Sequence, residues 1–267
     1  MNFYARFYRT QFRVTFATQI QYRVSLMIWL IGLVLEPVIY LVVWSSVAHS
    51  RGGAVGGYST SDFAAYFIVM LVVNHATFTW IMWGFDQRIQ LGILSPLLLR
   101  PIHLVFVDIA DNITYKVITL PIVLLAAVLL SIAFHPSIHP PLWAIPAFAL
   151  ALALAFCMRF AVEWTLSLLA FWTTRANAMN QMYTLALLFL SGQAAPLSLF
   201  PRAVGIAGSV LPFRWMVSFP VETLLGRVSP HDALAGFGAQ IAWLGIGILS
   251  LRALWTVGVR RYSAVGA

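Results

Sequence analysis

Residues Asp86–Pro101, with the sequence DQRIQLGILSPLLLRP, separate two long apolar runs. The charge-free run 63–85 ends at Asp86, and the next apolar run begins near Ile113. Between them, polar residues are interspersed with isoleucine and leucine. Pro101 closes the stretch, because proline cannot continue a helix with full hydrogen bonding. The pattern predicts a short amphipathic helix that lies at a membrane surface or against another protein.

The composition around this stretch is that of an integral membrane protein. Of the 267 residues, 61% are hydrophobic and 9% are charged, and the mean hydropathy is +0.88. Soluble domains carry roughly 25% charged residues, so these charges are too few to solvate a globular surface. A net charge of +8 would suggest nucleic-acid binding in a soluble protein, but the arginines gather at the ends of apolar runs. This distribution favours orientation in a membrane, and we expect no nucleic-acid partner.

Six apolar runs are candidates for crossing the hydrocarbon layer at about 1.5 Å per residue. They lie at residues 24–48, 63–85, 113–134 and 142–172, from near Met182 to the polar turn at Ser191, and at residues 236–259. The sequence therefore predicts an all-α integral membrane protein with six transmembrane helices in one domain, residues 1–267.

Residues 1–22 form a second amphipathic segment. On a helical wheel three arginines fall on one side and four aromatic residues on the other: Arg6, Arg9 and Arg13 against Tyr4, Tyr8, Phe12 and Phe16. This pattern predicts an N-terminal interfacial helix, with basic side chains toward lipid headgroups and aromatic side chains toward acyl chains. A plain positively charged anchor for the first span explains the arginines equally well. Membrane lipid is an expected partner in both cases.

Arginine and lysine side chains set the expected orientation. If the N-terminus is inside, eleven of them fall in cytoplasmic segments and four in outer segments. The cytoplasmic set is Arg6, Arg9, Arg13, Arg23, Arg88, Arg100, Lys116, Arg175, Arg252, Arg260 and Arg261, and the outer set is Arg51, Arg202, Arg214 and Arg227. The positive-inside rule then predicts that both termini are cytoplasmic and that residues 86–101 form a cytoplasmic helix.

The segment Ser191–Arg227 is too long and too apolar for an ordinary loop. Prolines break it into short pieces, at Pro196, Pro201, Pro212 and Pro220. Broken helices at membrane depth are tolerated only where protein or a water-filled cavity satisfies the freed backbone groups. We therefore expect a re-entrant outer helix pair, residues 197–210 and 213–225, with bends at Pro196, Pro201 and Pro212. A seventh span interrupted by prolines is the alternative.

Besides Lys116 and Arg252, which are assigned to the cytoplasmic ends, three charged residues lie inside the predicted spans. Glu36 directly precedes Pro37 in the first span, and Arg159 and Glu163 stand four residues apart in the fourth. This spacing allows Arg159 and Glu163 to pair on one helix face. Glu36 and Arg159 lie at a similar depth, about 20 Å from the cytoplasmic ends. We expect an intramembrane charge pair between Glu36 and Arg159 that clamps spans one and four, with a substrate-facing role as the alternative.

We expect no catalytic, metal-binding or cofactor-binding residues in this chain. Cys157 is the single cysteine, and His135 and His139 are separated by a proline. Asn74 and His75 lie in the middle of a span, where hydrogen bonds to a neighbouring helix are the expected role. The run G-x-x-x-x-G-K-[ST], whose backbone cradles nucleotide phosphates, does not occur in these 267 residues.

The order of these features resembles the permease subunit of ABC-2 type exporters, with a coupling helix between spans two and three and re-entrant outer helices before span six. RIQLGILSPLLLRP resembles the R-x-G-x-L-x-x-L-L-R-P run of a small bacterial subgroup, with Arg88 one residue further from the glycine than in that pattern. The matching positions are Arg88, Gly92, Leu94, Leu98, Leu99, Arg100 and Pro101. Three outer runs resemble the same subgroup: SGQAAPLSLFP (191–201), LPF (211–213) and P-x-E-x-x-L-G (220–226).

The resemblance implies a single transmembrane permease domain in the bacterial cytoplasmic (inner) membrane. It would work with separate ABC ATPase subunits that bind ATP and Mg, so that this chain holds no cofactor. One copy has too few spans to enclose a path, so a second permease subunit, identical or homologous, is expected. The coupling helix 86–101 would bind the ATPase through Arg88, Ile89, Gly92, Ile93, Leu97, Arg100 and Pro101.

The resemblance points to export of an amphipathic or lipid-like substrate, and the E-A-A run of importer permeases is absent. A polytopic membrane enzyme or assembly factor that acts on lipid-phase substrates is the alternative. A neighbouring gene with Walker A and Walker B motifs would favour the exporter. A secondary transporter is disfavoured, because the first three and last three spans show no repeat.

Overall fold

The computed structural model describes residues 3–173 and 176–262, which are almost entirely helical. The helices are α1 (Phe3–Gln21), α2 (Arg23–Ser50), α3 (Thr60–Thr77), α4 (Ile81–Gln90), α5 (Leu94–Leu98), α6 (Leu104–Phe134), α7 (Ala144–Ser167), α8 (Ala176–Leu190), α9 (Arg202–Val210), α10 (Phe213–Met216), α11 (Ser218–Leu224) and α12 (Pro230–Arg261). Single turns of 3-10 helix lie at Leu168–Phe171 and Leu197–Leu199. Arg175, one of the eleven arginines and lysines expected inside, lies outside the described residues.

An antiparallel hairpin joins α2 to α3 through β1 (Ala54–Val55) and β2 (Tyr58–Ser59). Gly56 and Gly57 form its turn with φ of +57° and +80°, a conformation that L side chains rarely adopt. Ser59 then begins α3 with a capping box, in which its hydroxyl accepts from the Asp62 amide and Asp62 accepts from the Ser59 amide. The Gly/Ser-rich stretch after the first span is therefore a tight turn that leads directly into a helix.

Five helical stretches are long and apolar enough to cross a membrane: Arg23–Ser50, Thr60–Gln90, Leu104–Phe134, Ala144–Phe171 and Pro230–Arg261. They correspond to predicted spans one to four and six. The predicted fifth span is α8, which has 15 residues and a length of about 22 Å, less than a hydrocarbon layer of about 30 Å. Five spans are therefore found among the described residues, and the sixth stays a prediction.

Helix α3 is the centre of the bundle. It contacts α2, α6, α7 and α11, and its aromatic residues Phe63, Tyr66 and Phe67 are at most 1% exposed. The most apolar window of Thr60–Gln90 is 72% buried, whereas in the other candidate spans the buried share is 33% or less. A helix that is apolar all round is stable where protein surrounds it. The outer helices α2, α6 and α12 instead leave apolar faces for lipid or another subunit.

The two ends of the bundle carry different elements. Phe7 of α1, Leu94 of α5 and Tyr262 after α12 contribute to one apolar cluster. At the opposite end, the hairpin meets the segment that follows α8, where Tyr58 and Leu199 share a second cluster. We call these the α1 end and the hairpin end. The described N-terminal and C-terminal residues lie at the same end.

The span predicted at residues 63–85 is interrupted at residues 78–80. Helix α3 ends at Thr77, whose hydroxyl donates back to the carbonyl of Val73 at 2.9 Å, and α4 begins at Ile81. The freed carbonyl of Phe78 accepts from Lys116 Nζ at 2.6 Å, so a side chain of α6 replaces the missing helical bond. Neither proline nor glycine marks this break, which explains why the sequence predicted a continuous helix.

The segment 191–227 is built from short helices that follow prolines. Pro196, Pro201 and Pro212 directly precede the 3-10 turn, α9 and α10, so they lie where the sequence predicted bends. Each helix of the expected pair is broken once more: the first at Phe200, and the second at Val217, where φ is −131° and ψ is −68°. We call this the outer segment; its place on the outer face stays a prediction.

Candidate functional site

The predicted coupling helix, residues 86–101, is two helical pieces joined by a turn. Residues 86–90 are the end of α4, residues 91–93 turn, and α5 occupies Leu94–Leu98. Gly92 makes the turn with φ of +68°, which favours glycine because it has no Cβ. The expectation of one short helix is therefore wrong, because the chain turns at Gly92. We call residues 86–101 the coupling segment.

Arg88 fixes this segment to the spans. Its two terminal nitrogens donate to the two carboxylate oxygens of Asp108 on α6, at 2.6 and 3.1 Å. Asp108 is 3% exposed and also accepts from the indole of Trp164 on α7 at 2.9 Å. A forked arginine–carboxylate pair sets orientation as well as distance. Arg88 was expected to contact the ATPase, but its guanidinium is bound to Asp108 within the chain.

The apolar side chains of the coupling segment divide into an inner and an outer set. Leu94 is fully buried, and Ile89 and Leu97 pack on the same internal cluster. The exposed residues of the segment are Gln87, Gln90, Leu91, Ile93, Pro96, Leu99, Arg100 and Pro101. The predicted contact face is therefore corrected: Ile89 and Leu97 hold the segment to its own protein, while Ile93, Arg100 and Pro101 remain accessible. Leu99, at 87% exposed, belongs to the accessible set.

Arg159 and Glu163 lie at the centre of a buried polar network on α7. Arg159 Nε donates to Glu163 Oε1 at 2.7 Å, and both residues are 3% exposed. Paired charges with further hydrogen bonds are the form in which ionisable groups are stable inside a membrane. The other partners of the pair are Asn74 (2.9 Å), Thr77 (3.1 Å), Tyr183 (3.1 Å) and Thr79. The network thus ties α7 to α3, to the break after α3 and to α8.

Glu36 lines the same space without joining the network. A central cavity of about 150 Å³ is lined by Glu36, Arg159, Glu163 and Gln193, among others. Among the described residues Glu36 forms no ion pair, and it is exposed in the single chain. The predicted direct pair of Glu36 with Arg159 is therefore wrong, because the carboxylate one turn along α7 already holds the guanidinium. Glu36 faces the cavity from a separate helix.

His75 supports this region, as the sequence predicted. Its Nε2 lies 2.8 Å from the Thr119 hydroxyl of α6, and the histidine is fully buried. Asn74 accepts from Gln193 Nε2 at 3.0 Å as well as from Arg159. Both polar side chains therefore bond neighbouring helices, which confirms their expected role.

An outer cavity of about 870 Å³ lies between the hairpin and the outer segment. Three of the four arginines expected outside line it: Arg202, Arg214 and Arg227. Arg214 is paired with Glu222 at 2.9 Å and Arg227 with Asp62 at 3.2 Å, whereas Arg202 is exposed. Two of the arginines therefore close the hairpin end through ion pairs.

Tyr58 forms the hairpin wall of this cavity. The Arg227 guanidinium lies 3.8 Å from its ring centre, a distance at which cation and ring attract. Burial raises the pKa of the Tyr58 phenol above its ordinary value, since the charged phenolate is poorly solvated there. The phenol therefore stays protonated at neutral pH.

A further cavity of about 550 Å³ lies at the α1 end between α1, α2, α4 and α6. We call it the interfacial cavity, and its polar and aromatic wall includes Gln11, Thr15, Tyr22, Trp29, Trp80, Arg88, Asp108, Asp111, Asn112 and Tyr115. Asp111 Oδ1 accepts from Gln11 Nε2 at 2.8 Å and from the Thr15 hydroxyl at 2.5 Å. These bonds fasten the N-terminal helix to α6. The rings of Trp29 and Trp80 meet edge to face at 4.8 Å.

Sequence reasoning missed this cavity, because the third span was expected to begin at Ile113. The helix begins at Leu104 and so includes three polar residues, Asp108, Asp111 and Asn112. Their i, i+3 and i+4 spacing puts them on one helix face. That spacing could have predicted a polar face on this helix, whereas nothing in the sequence indicated that the face lies near Trp29 or Trp80.

Comparison with protein families supplies the class of protein. The model of the ABC-2 family transporter proteins matches residues 16–266. The chain belongs to this family. Neither the curated proteins nor the solved structures gave a match. As an ABC-2 family member, it is the multi-pass membrane component of an ABC transporter, which confirms the resemblance found in the sequence.

Proposed function

We propose that this ABC-2 family protein is the permease subunit of an ATP-driven exporter of amphipathic or lipid-like substrates. ATP and Mg would be bound by a separate ABC ATPase, because the 267 residues offer no phosphate-binding loop. Family membership supports the transport role. The proposal adds the direction of transport, the type of substrate and a separate ATPase subunit that powers transport.

The accessible side of the coupling segment is the observation that carries this proposal. Leu91, Ile93 and Leu99, which follow the end of α4 at Gln90, are 70%, 46% and 87% exposed. The same segment is fixed to α6 and α7 by the Arg88–Asp108 fork and by buried Leu94. An apolar contact surface on a rigid support is what a moving partner needs in order to displace the spans. We therefore assign this surface to the ATPase.

Two permease copies would form the working unit. The apolar windows of α2, α6 and α12 are each only 17% buried, which leaves room for a second subunit beside lipid. We place the protein in the bacterial cytoplasmic membrane with both termini inside, so that the coupling segment faces the ATPase. The excess of arginine and lysine in the segments assigned to the cytoplasm supports this orientation.

The test uses two exposed leucines at opposite ends of the bundle. Leu99 is 87% exposed and Leu142 is 89% exposed, so replacing either leaves internal packing intact. Each variant, Leu99→Glu and Leu142→Glu, is co-expressed with the ABC ATPase that co-purifies with the unchanged chain. We expect Leu99→Glu to lose most ATPase co-purification, because a charge at the centre of an apolar contact is strongly unfavourable. Leu142→Glu should retain the ATPase, and equal retention by both variants would remove the coupling role from this segment.

A further inference from the structure

We propose that the interfacial cavity binds an amphipathic organic cation, a cationic head with an apolar body. The proposal deepens the permease function, on which its transport meaning rests, by naming the class of substrate. The proposal rests on three observations: the carboxylate of Asp111 forms no ion pair among the described residues, Trp29 and Trp80 form an aromatic wall, and the amide oxygen of Asn112 has no hydrogen-bond partner there.

The charged groups of the cavity leave one negative charge over. Arg88 and Asp108 neutralise each other through their fork at 2.6 and 3.1 Å. Asp111 receives only neutral donors, from Gln11 and Thr15, and both bind the same oxygen, Oδ1. Within residues 3–173 and 176–262, no ion pair involves Asp111. A carboxylate at the edge of a membrane is stabilised by a countercharge. Arg88 attracts Asp111 at longer range but is forked to Asp108, so Asp111 has no ion pair of its own.

The apolar part of the wall suits a cation better than an anion. Trp29 and Trp80 lie together at 4.8 Å, and Tyr22 and Tyr115 line the same space. The faces of aromatic rings attract cations through their quadrupole, and tryptophan does so most strongly. Anions find no free basic side chain, because the one cation of the wall, Arg88, is held by Asp108.

Asn112 adds an acceptor without a donor. It is 7% exposed, its Nδ2 donates to the carbonyl of Asp108 at 2.9 Å, and its Oδ1 has no partner among the described residues. Buried polar atoms are normally satisfied, so an exception invites an explanation from a ligand or water. Asn112 lines the cavity, although its Oδ1 is itself buried. The donors of Gln11 and Thr15 bind only Oδ1 of Asp111, so Asp111 Oδ2 is left to accept from the N–H groups of an ammonium head.

The size and position of the cavity agree with an amphiphile. Its volume of about 550 Å³ is in the range of roughly 300–1,000 Å³ that small-molecule sites occupy. One wall is the amphipathic helix α1, which has no buried residues and is suited to the membrane interface. A cation with an apolar body concentrates at that interface and would reach the cavity from the lipid.

The experiment compares two probe ions of matched shape and opposite charge, tetraphenylphosphonium and tetraphenylborate. Their binding to the purified chain in a neutral detergent is measured by equilibrium dialysis against empty micelles. We expect Asp111→Asn to weaken phosphonium binding about tenfold or more, since the charge attraction is lost, without weakening borate binding. Asparagine keeps an oxygen for Gln11 and Thr15, so α1 stays attached. Asp232→Asn removes an exposed carboxylate at the start of α12 and should leave both affinities unchanged.

Two outcomes would overturn the proposal. One is equal phosphonium binding by Asp111→Asn and the unchanged chain. The other is loss of binding in Glu36→Gln together with its retention in Asp111→Asn, which would place the cation in the central cavity instead. If Asp111→Asn does not fold, Trp29→Leu serves in its place, because Trp29 is 58% exposed. Leucine keeps an apolar contact but removes the aromatic face, so phosphonium binding should fall more than borate binding, and an equal fall would count against the site.

Competition experiments distinguish two sources of the natural cation, a lipid headgroup and a free amphiphile. Displacement of phosphonium by phosphatidylethanolamine in nanodiscs would identify a lipid headgroup, and displacement by dodecylamine alone would identify a free amphiphile. Either result supports the site, and displacement by neither contradicts it. All measurements use the permease chain without its ATPase. A failed cation test is therefore distinct from a failed ATPase co-purification with Leu99→Glu.

Discussion

Arg159 is held by a carboxylate one turn along its own helix, and this defines a prediction on single residues. Removing Glu163 leaves a buried guanidinium without its countercharge, so Glu163→Gln should lower the stability of the protein. In a double-mutant cycle, Arg159→Met and Glu163→Gln should show coupling of about 0.5–3 kcal/mol. Arg159→Met and Glu36→Gln should be closer to additive, because they form no ion pair. Reversible unfolding of the purified protein in mixed micelles measures both cycles.

The matched comparison is between Glu163 and Glu36, since both carboxylates line the central cavity. Strong coupling of Arg159 to Glu36, with none to Glu163, would contradict the geometry of the site. The pairing of Arg159 with Glu163 was readable from the sequence, because helix geometry alone brings i and i+4 together. The position of Glu36 was not, because equal depth in two helices says nothing about the direction in which each side chain points.

On the scale of helices, two glycines of α12 give a prediction with an internal control. A Cβ added at Gly236 would lie 2.2 Å from Cε2 of Phe219, whereas at Gly238 it would meet nothing within 4 Å. Phe219 belongs to α11 and is 1% exposed, so its ring has little room to move. Gly236→Ala should destabilise the protein by about 1–3 kcal/mol through overpacking. Gly238→Ala should be neutral, or stabilising by up to about 1 kcal/mol, because alanine is the better helix former.

Thermal unfolding of both glycine variants is the measurement. The two positions share a helix and ordinary backbone angles, so any difference between them reports the contact with α11. Equal stability of the two variants would mean that α11 does not pack on α12 as closely as the structure shows. This contact lies where the outer segment meets the last span, so it also tests the position of that segment.

The coupling segment shows which features of short helices a sequence pattern can predict and which it cannot. An interruption between two apolar runs was predictable, because polar residues and a proline separate them, but its first helix begins at Ile81 and not at Asp86. The assignment of its faces was not predictable. Ile89 and Leu97 were expected outside, but a turn at Gly92 rotates the second piece against the first, and the internal cluster takes both side chains. A helical wheel assumes one continuous helix, so it cannot place side chains on both sides of a turn.

On the scale of the whole molecule, the orientation in the membrane is the main prediction. Arg202 and Arg100 are exposed, the first at the hairpin end and the second at the α1 end. Each is replaced by cysteine, as Arg202→Cys and Arg100→Cys. In a background with Cys157→Ala, which removes the single native cysteine, each is treated in intact cells with a membrane-impermeant maleimide. The cysteine at position 202 should react from outside, and the cysteine at position 100 should react only after the cells are permeabilised. The reverse pattern would invert the topology and place the coupling segment outside.

The membrane class, the long spans and the proline bends were predictable, since they depend on composition and local backbone chemistry. The break at residues 78–80 was not, because Lys116 of another helix stabilises it. The central place of α3 was equally hidden: its apolar run looks like the others, yet it is the one that protein surrounds. Helix α8 ends at Leu190, where the sequence predicted the apolar run to stop, and its 15 residues are too few for a full crossing.

The charge pair within α7 also has a consequence for biosynthesis. Each charge at the centre of a helix that enters the bilayer from the translocon opposes partitioning into lipid by about 2.5–3.5 kcal/mol. Arg159 and Glu163 are four residues apart on one helix, so each carries its counterion through that step. A pair divided between the first and fourth spans would have exposed α7 as a bare cation until the earlier helix found it. The arrangement lets the segment enter the bilayer as an electrically neutral unit, whatever the order in which the bundle assembles.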